Sequence, residues 1–271
     1  MATGKFMIEP LITCSMVTRN RPLLAHRAIH CFMNQTYANK ELLILDDGDI
    51  DYTPIIESFG KGAPINYHRL APSSGRTLGE LRNLSIEVGN GDVQVQWDDD
   101  EWYHPERVAT QYAAMRSSGA GATALKWTLV HIDTPKFSKH LFRADSGIAT
   151  PGTLMFKRAT VRYPALPRNE DGIYMRSIRE EVGLKVLGRN YSHLFVRCFH
   201  GTNTWDEPHF LRKLYRRPSD WPQYMVNKLC RRDIFHHRSF QLNQAEQGTV
   251  EDMLNYHMGE AVNDLRKKVV A

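Results

Sequence analysis

Cysteine is scarce in this chain: four in 271 residues, at positions 14, 31, 198 and 230, with no CxxC pair among them. That excludes a disulfide framework or a thiolate zinc site as the basis of the fold, and it fits a reducing compartment such as the cytoplasm. No apolar run approaches the roughly 20 residues of a membrane span. The opening MATGKFMIEP places Glu9 and Pro10 where a secretory leader would need apolar residues. There is no internal repeat and no low-complexity segment. Residues 11–22 lack the glycine-rich loop and following basic residue with which nucleotidyltransferases and pyrophosphorylases usually open.

What is present is ordinary globular material, 42% hydrophobic and 24% charged, enough to bury a full core without staples. The formal net charge of +5 is unevenly spread. Between Leu211 and Arg238 eight Lys/Arg residues face only two acids, Asp220 and Asp233, whereas the first 210 residues are close to neutral. Phe210, Leu211, Leu214, Tyr215, Trp221, Tyr224 and Phe235 are interleaved with these cations. A basic, aromatic-rich segment of this kind suits packing of its apolar side on a domain, docking on an anionic membrane, or tracking of a nucleic-acid backbone.

The apolar patterning alternates strand and helix. Leu11–Val17, Leu42–Leu45, Ile65–Leu70 and Val93–Trp97 read as buried strands, and Leu23–Asn34, Tyr52–Phe59 and Thr77–Val88 as helices between them. This rhythm predicts an α/β fold with a mostly parallel sheet flanked by helices. Further on, Ala124–Ile132, Thr153–Lys157 and Tyr191–Phe199 are expected to be strands. Asn169–Val182 is expected to be a helix capped by Asn169, and Pro208–Leu229 and Val250–Val270 two more. In parallel sheets ligands gather at the carboxyl ends of the strands. Three polar loops fall there: Thr18–Arg21, Asp46–Asp49 and Asp98–Glu101.

Four short constellations carry chemistry. Asp98-Asp99-Asp100-Glu101 leaves a buried strand, and carboxylates on alternate residues, Asp98 and Asp100, can face one site and hold Mg²⁺ or Mn²⁺ through oxygen. The same run also reads as a solvated acidic turn. Asp46-Asp47-Gly48 is either a tight turn or a hydrogen-bond acceptor for a ribose or base. Glu170-Asp171 opens a helix, where acids favour the dipole or serve as a general base. His200, leaving a strand into Gly201, is either structural or a metal ligand.

In this order and spacing the pieces resemble the family 2 glycosyltransferases, whose fold is GT-A. Pro10–Pro22 is similar to that family's first strand and Pro-Thr-Tyr-Asn-Arg-Pro loop, with Val17 and Arg19 in place of Pro and Tyr. Lys40–Asp49 resembles its second strand and Asp-Asp-Gly-Ser turn. Leu81–Glu87 resembles its Ala-Arg-Asn-x-Gly-Ile helix, and Val95–Trp102, continued by Pro105 and a helix, its Leu-Asp-x-Asp-Asp signature. Glu170-Asp171 sits where the family carries an acidic pair. The likeness covers roughly residues 8–205; Ser73–Arg76 departs from the usual glycine-rich pattern.

The resemblance implies a GT-A catalytic domain over 1–210, with a nucleotide-sugar-binding half at 1–102, an acceptor-side half at 103–210 and a helical extension at 211–271. It implies transfer of a sugar from a nucleotide-sugar donor, a UDP-sugar first, to an acceptor hydroxyl with inversion. Thr18, Asn20, Asp47, Arg82 and Asp98 would contact the donor. Asp100, with His200, would bind Mn²⁺ or Mg²⁺, and Asp171 would be the base with Glu170 as its competitor. The acceptor is expected to be a glycan, a lipid-linked sugar or a hydroxylated base in nucleic acid. The competing readings are a nucleotidyltransferase and a nucleotide-sugar- or DNA-binding protein on a degenerate transferase fold.

Overall fold

The computed structural model describes residues 9–71, 75–231 and 233–258. Two sheets form its frame. The larger has seven strands: β1 (Ile12–Thr18), β2 (Lys40–Asp46), β3 (Ile65–Arg69), β4 (Val93–Gln96), β6 (Ala122–Leu125), β9 (Met155–Lys157) and β10 (Leu184–Leu187). Their order across the sheet is β10-β6-β9-β4-β1-β2-β3. The smaller sheet holds β5 (Trp102–Tyr103), β7 (Trp127–Ile132), β8 (Leu141–Asp145) and β11 (Phe195–Phe199), in the order β5-β11-β7-β8. β1 pairs in parallel with both β2 and β4, and β2 with β3. Helices α1 (Pro22–Met33), α2 (Thr53–Glu57), α3 (Leu78–Val88), α4 (Arg107–Ser118) and α5 (Glu170–Val182) connect and flank the strands.

The local reasons are plain. β1 and β2 are buried along almost their whole length because both faces of the sheet are covered, and Ile12, Cys14, Met16, Leu42 and Ile44 are fully buried. Pro22 opens α1, where a missing N–H costs nothing. α3 begins with a complete capping box, Thr77 and Glu80 each satisfying the other's backbone N–H. Gly119, at φ 70°, ends α4 in the left-handed region that other residues avoid.

Several expected elements are divided. The stretch 124–132 is two strands in different sheets, β6 and β7, parted at Lys126, whose N–H turns aside to Leu187 O. The stretch 153–157 yields only β9, behind a 3-10 turn at Pro151–Thr153, and β9 is antiparallel to both β4 and β6, so the central sheet is mixed. Of 191–199 only β11 is extended; Arg189–Leu194 is a 3-10 turn. Asn169 stands at the start of α5 but makes no side-chain cap, because its own backbone is left-handed at φ 62°. Pro208–Leu229 is broken near Pro218 into α6 (Glu207–Leu211) and α7 (Trp221–Leu229). α8 spans Gln244–Met258, and the rest of the expected 250–270 helix lies outside the described residues.

The C-terminal segment is not an appendage hanging free. Phe210, Leu214 and Ile234 pack with Val130, Ile132 and Phe142 of the smaller sheet and with Phe137 of the β7–β8 connection. α8 is fastened by Glu246, which is fully buried, ion-paired to Arg143 and accepting from Ser192 Oγ. Its far end meets α1, where His26 Nδ1 and Tyr256 Oη lie 2.7 Å apart. No helix among the described residues is long and apolar enough to cross a membrane.

Burial pushes the His26 imidazole down to about 4, against roughly 6.5 in an unfolded chain. Between those values the unfolded chain binds a proton that the fold refuses. This contribution to stability is therefore present above about pH 6.5 and lost as pH falls toward 4. The acid side of the thermal-midpoint profile is expected to flatten in His26→Gln, as followed by circular dichroism from pH 7.5 to 4.5.

Candidate active site

A cleft of about 400 Å³ opens at the carboxyl ends of β1, β2 and β4. Its position is fixed by Trp97, the residue after β4. Trp97 is fully buried, donates from Nε1 to Ala28 O and stacks on Tyr103 with ring centroids 3.8 Å apart. The equally buried Arg107 guanidinium lies over the rings of Trp97, Tyr103 and Phe195 and donates to Gln96 O. This aromatic and cationic plug clamps both ends of the segment 98–101, so four consecutive acids are held where the sheet ends.

Each acid has a different set of partners. Asp98 Oδ1 lies 3.1 Å from Arg82 Nη2. Asp99 accepts from Thr18 Oγ1 at 2.7 Å and from Arg21 at 3.3 Å. Asp100 Oδ2 meets His200 Nε2 at 3.3 Å and Arg21 at 3.5 Å, and Asn203 Nδ2 approaches it at 3.4 Å. Glu101 Oε2 accepts the Cys198 N–H at 2.6 Å, with Arg197 4.0 Å from its other oxygen.

Even so, the run is short of positive charge. Burial, with Asp100 close by, pushes the Asp99 carboxyl up to about 7. Burial likewise raises Asp98, against the opposing pull of Arg82, and holds Glu101 well above the ordinary range. Asp100 goes the other way: burial opposes its charge, but His200, Arg21 and Arg27 outweigh it. A buried set of hard carboxylate oxygens crowded into mutual repulsion suits a divalent Mg²⁺ or Mn²⁺ ion, so the residues fit such a group.

Across the cleft, α5 supplies Glu170 and Asp171. Glu170 is buried and tied to Arg82, with 3.3 Å between Oε1 and Nε. Burial raises its carboxyl, with Arg82 opposing. Asp171 is half-buried, and its Oδ1 accepts from the adjacent Gly172 N–H. Arg82 thus bridges Asp98 and Glu170, joining the acidic run to α5.

Of the residues expected from sequence, Thr18, Asp47, Arg82, Asp98, Asp100, Glu170 and Asp171 line the cleft, whereas Asn20 and His200 do not. Asn20 works inside the loop: its Oδ1 accepts the N–H groups of Asp49 and Ile50 at 2.8 and 3.2 Å. A side chain on Gly48 would come within 2.6 Å of that oxygen, which is why glycine stands there. His200 stands behind Asp100 and is oriented by Thr202 Oγ1. Sequence reasoning missed Arg21, Arg76 and Trp205. Arg76 belongs to the loop that departs from the family pattern, and it lies 2.7 Å from Asp47. No local sequence signal joins the two, because 29 positions separate them.

The sequence profile described as Glycosyl transferase family 2 matches residues 13–183, more than half of the chain. The chain belongs to this family. A Bacillus subtilis (strain 168) protein named as a glycosyltransferase, EpsH, is 28% identical over 101 residues, which cover 37% of this chain and 29% of that protein. The Escherichia coli (strain K12) WcaA, named for colanic acid biosynthesis, is 31% identical over 103 residues, covering 37% and 36%. The alignments therefore span about a third of either relative. Among solved structures, residues 1–349 of S. aureus TarS in complex with UDP-GlcNAc superpose with a TM-score of 0.55 at 15% identity, covering 91% of this chain and 72% of that one. The Pyrobaculum calidifontis mannosyltransferase PcManGT, in complex with GDP-Man and Mn²⁺, gives 0.53 at 16%, covering 97% and 80%. The fold is GT-A.

Removing the shared cation should expose the electrostatics of this family 2 cleft. Arg82→Met leaves Asp98 and Glu170 without their common partner and is expected to cost about 3 kcal/mol of stability at pH 7.5. Unpaired acids are raised further in the folded state, so lowering the pH to 5.5 should return part of that loss. Urea unfolding at both pH values checks it, and an equal deficit at both would contradict the bridging role.

Proposed function

We propose that this protein is an inverting glycosyltransferase that moves a sugar from a nucleotide sugar to an acceptor hydroxyl, with Asp171 as general base. The observation that carries the reading is the pairing in one cleft of a buried acidic run with a separate, half-buried carboxylate on α5. Thr18, Asp47, Arg76 and Arg82 form the donor side, and Arg19 and Arg21 offer charge to the diphosphate. Asp98 lies toward the ribose or sugar. A UDP-sugar is the first candidate. Trp205, 39% exposed at the rim and stacked on His209, offers its remaining aromatic surface to a sugar ring.

Asp98 and Asp100 would hold Mn²⁺ or Mg²⁺, with His200 supporting Asp100 from behind. When bound, such an ion offsets the negative charge that develops on the leaving diphosphate. Asp171 takes the proton of the acceptor hydroxyl as its oxygen bonds to the anomeric carbon. The bond from that carbon to the diphosphate oxygen breaks, and its electron pair leaves with the nucleotide. Glu170 is the weaker candidate for base because Arg82 already occupies it. A hydroxyl has a pKa far above neutral, so without a base the attack is slow.

The acceptor is proposed to be a lipid-linked glycan approached at an anionic membrane in the cytoplasm. α7 presents Trp221, Val226 and Leu229 to solvent at 54%, 49% and 62% exposure, with Lys228 and Arg231 beside them. An exposed apolar stripe bordered by cations matches a bilayer interface better than a nucleic-acid backbone, which has no apolar interior to receive it. Other cations of this segment are engaged within the protein: Arg216 donates to Ser146 O, and Arg217 and Arg238 pair with Asp145 and Asp220.

The reading is tested by thermal shift and transfer assays across nucleotide sugars with and without Mn²⁺. One nucleotide should raise the midpoint in a metal-dependent manner. Asp100→Ala should abolish that shift. Asp171→Asn should keep it and lower transfer at least 100-fold. Binding without turnover in wild type would favour a non-catalytic nucleotide-sugar-binding protein, and pyrophosphate exchange would favour a nucleotidyltransferase. For the surface, sedimentation with phosphatidylglycerol-containing vesicles should exceed that with phosphatidylcholine alone and fall in Trp221→Ser/Leu229→Ser. Retention by duplex DNA in preference to the vesicles would reverse the assignment.

A further inference from the structure

We propose that His104, Glu106 and His193 form a second metal site, outside the cleft, that takes a borderline divalent transition-metal ion, Zn²⁺ first. The site would fasten the Arg189–Leu194 turn and α8 to the start of α4. One ligand atom from each of the three side chains lies within 4.8 Å of the others. An ion with bonds of about 2.0–2.2 Å spans that separation after a small closure of the side chains. None of the three lines the catalytic cleft.

The three side chains are carried by backbone that is already held in place. His104 follows β5, donates its N–H to Leu194 O at 3.2 Å and accepts at its own carbonyl from Gln35 Nε2 and the Arg107 N–H. Glu106 is the residue from which α4 starts. His193 stands one residue before the fully buried Leu194, and its carbonyl accepts from Thr249 Oγ1 of α8 at 3.1 Å. The antiparallel pairing of β5 with β11 thus brings the two histidines together, their rings 5.1 Å apart and edge-on at 86°.

The chemistry of the donor set is selective. Two imidazole nitrogens and one carboxylate oxygen suit Zn²⁺ and its neighbours and suit Mg²⁺ or Ca²⁺ poorly. Partial burial keeps both imidazoles below their ordinary pKa, His104 also through the nearby His193, with Glu106 and other acids opposing. Neutral imidazole is the form that binds metal. Asp252 of α8 lies one helical turn beyond Thr249 and acts on His104 electrostatically. Coordination through either ring nitrogen of His104 gives up the 3.2 Å hydrogen bond that Nδ1 accepts from the Glu106 N–H.

The experiment uses the full chain, stripped by chelator and held in excess Mg²⁺ to cover the carboxylate run. Co²⁺ serves as a spectroscopic probe and Zn²⁺ as titrant. Wild type should bind one equivalent more Zn²⁺ than His193→Asn, show a visible Co²⁺ band of four-coordinate N/O character, and gain thermal midpoint with Zn²⁺. Glu106→Gln, a surface change that leaves packing intact, should weaken that equivalent at least tenfold. Equal stoichiometry and affinity in wild type, Glu106→Gln and His193→Asn would overturn the site. Because no nucleotide or transfer assay enters, the outcome is independent of the proposed catalytic activity.

Discussion

Four acids in a row at the end of a buried strand are the constraint around which this structure is arranged. A buried carboxylate without a counter-charge is costly, and adjacent ones raise one another further. The fold answers by sending partners from separate elements: Arg82 from α3, Thr18 from the end of β1, Arg21 from the loop after it, His200 and Asn203 from the loop after β11, Arg197 from β11 itself. Residues separated by more than a hundred positions are thereby drawn to one point. The plug of Trp97, Tyr103, Arg107 and Phe195 fixes that point, because it lies where the two sheets meet.

The first half of the chain was legible from its sequence because its signals are local. Short β-branched and apolar strands, a proline at the first turn of α1, a capping box and acid-glycine turns all act within a few residues. The second half was harder for an equally physical reason. Lys126 divides one apolar stretch between two sheets, and β9 runs antiparallel, and neither fact has a local signature. Asn169 looks like a helix cap but adopts a left-handed backbone that turns its side chain away from that duty.

Among site residues, the types were legible and their partnerships were not. The run 98–101 and the pair 170–171 announced themselves by composition. Arg82 could be named as a donor contact, yet its bridging of Asp98 and Glu170 depends on the packing of α3 beside α5. Asn20 and His200 were expected to contact the donor and the metal; in the structure Asn20 accepts from the 48–50 turn and His200 lies against Asp100.

Arg21 gives the cleft a character that a roster of acids does not convey. Its guanidinium lies 3.3 Å from Asp99 and 3.5 Å from Asp100 while remaining 35% exposed. The acidic run therefore carries a tethered, removable cation of its own. A soluble cation entering that corner does not fill an empty charge well; it enters an exchange with a resident one. Apparent affinity is then the difference between two electrostatic attractions, corrected by whatever the released guanidinium finds next. A ligand that brings its own anionic groups offers Arg21 a new partner, so the anion and the cation that accompany one another favour each other's arrival.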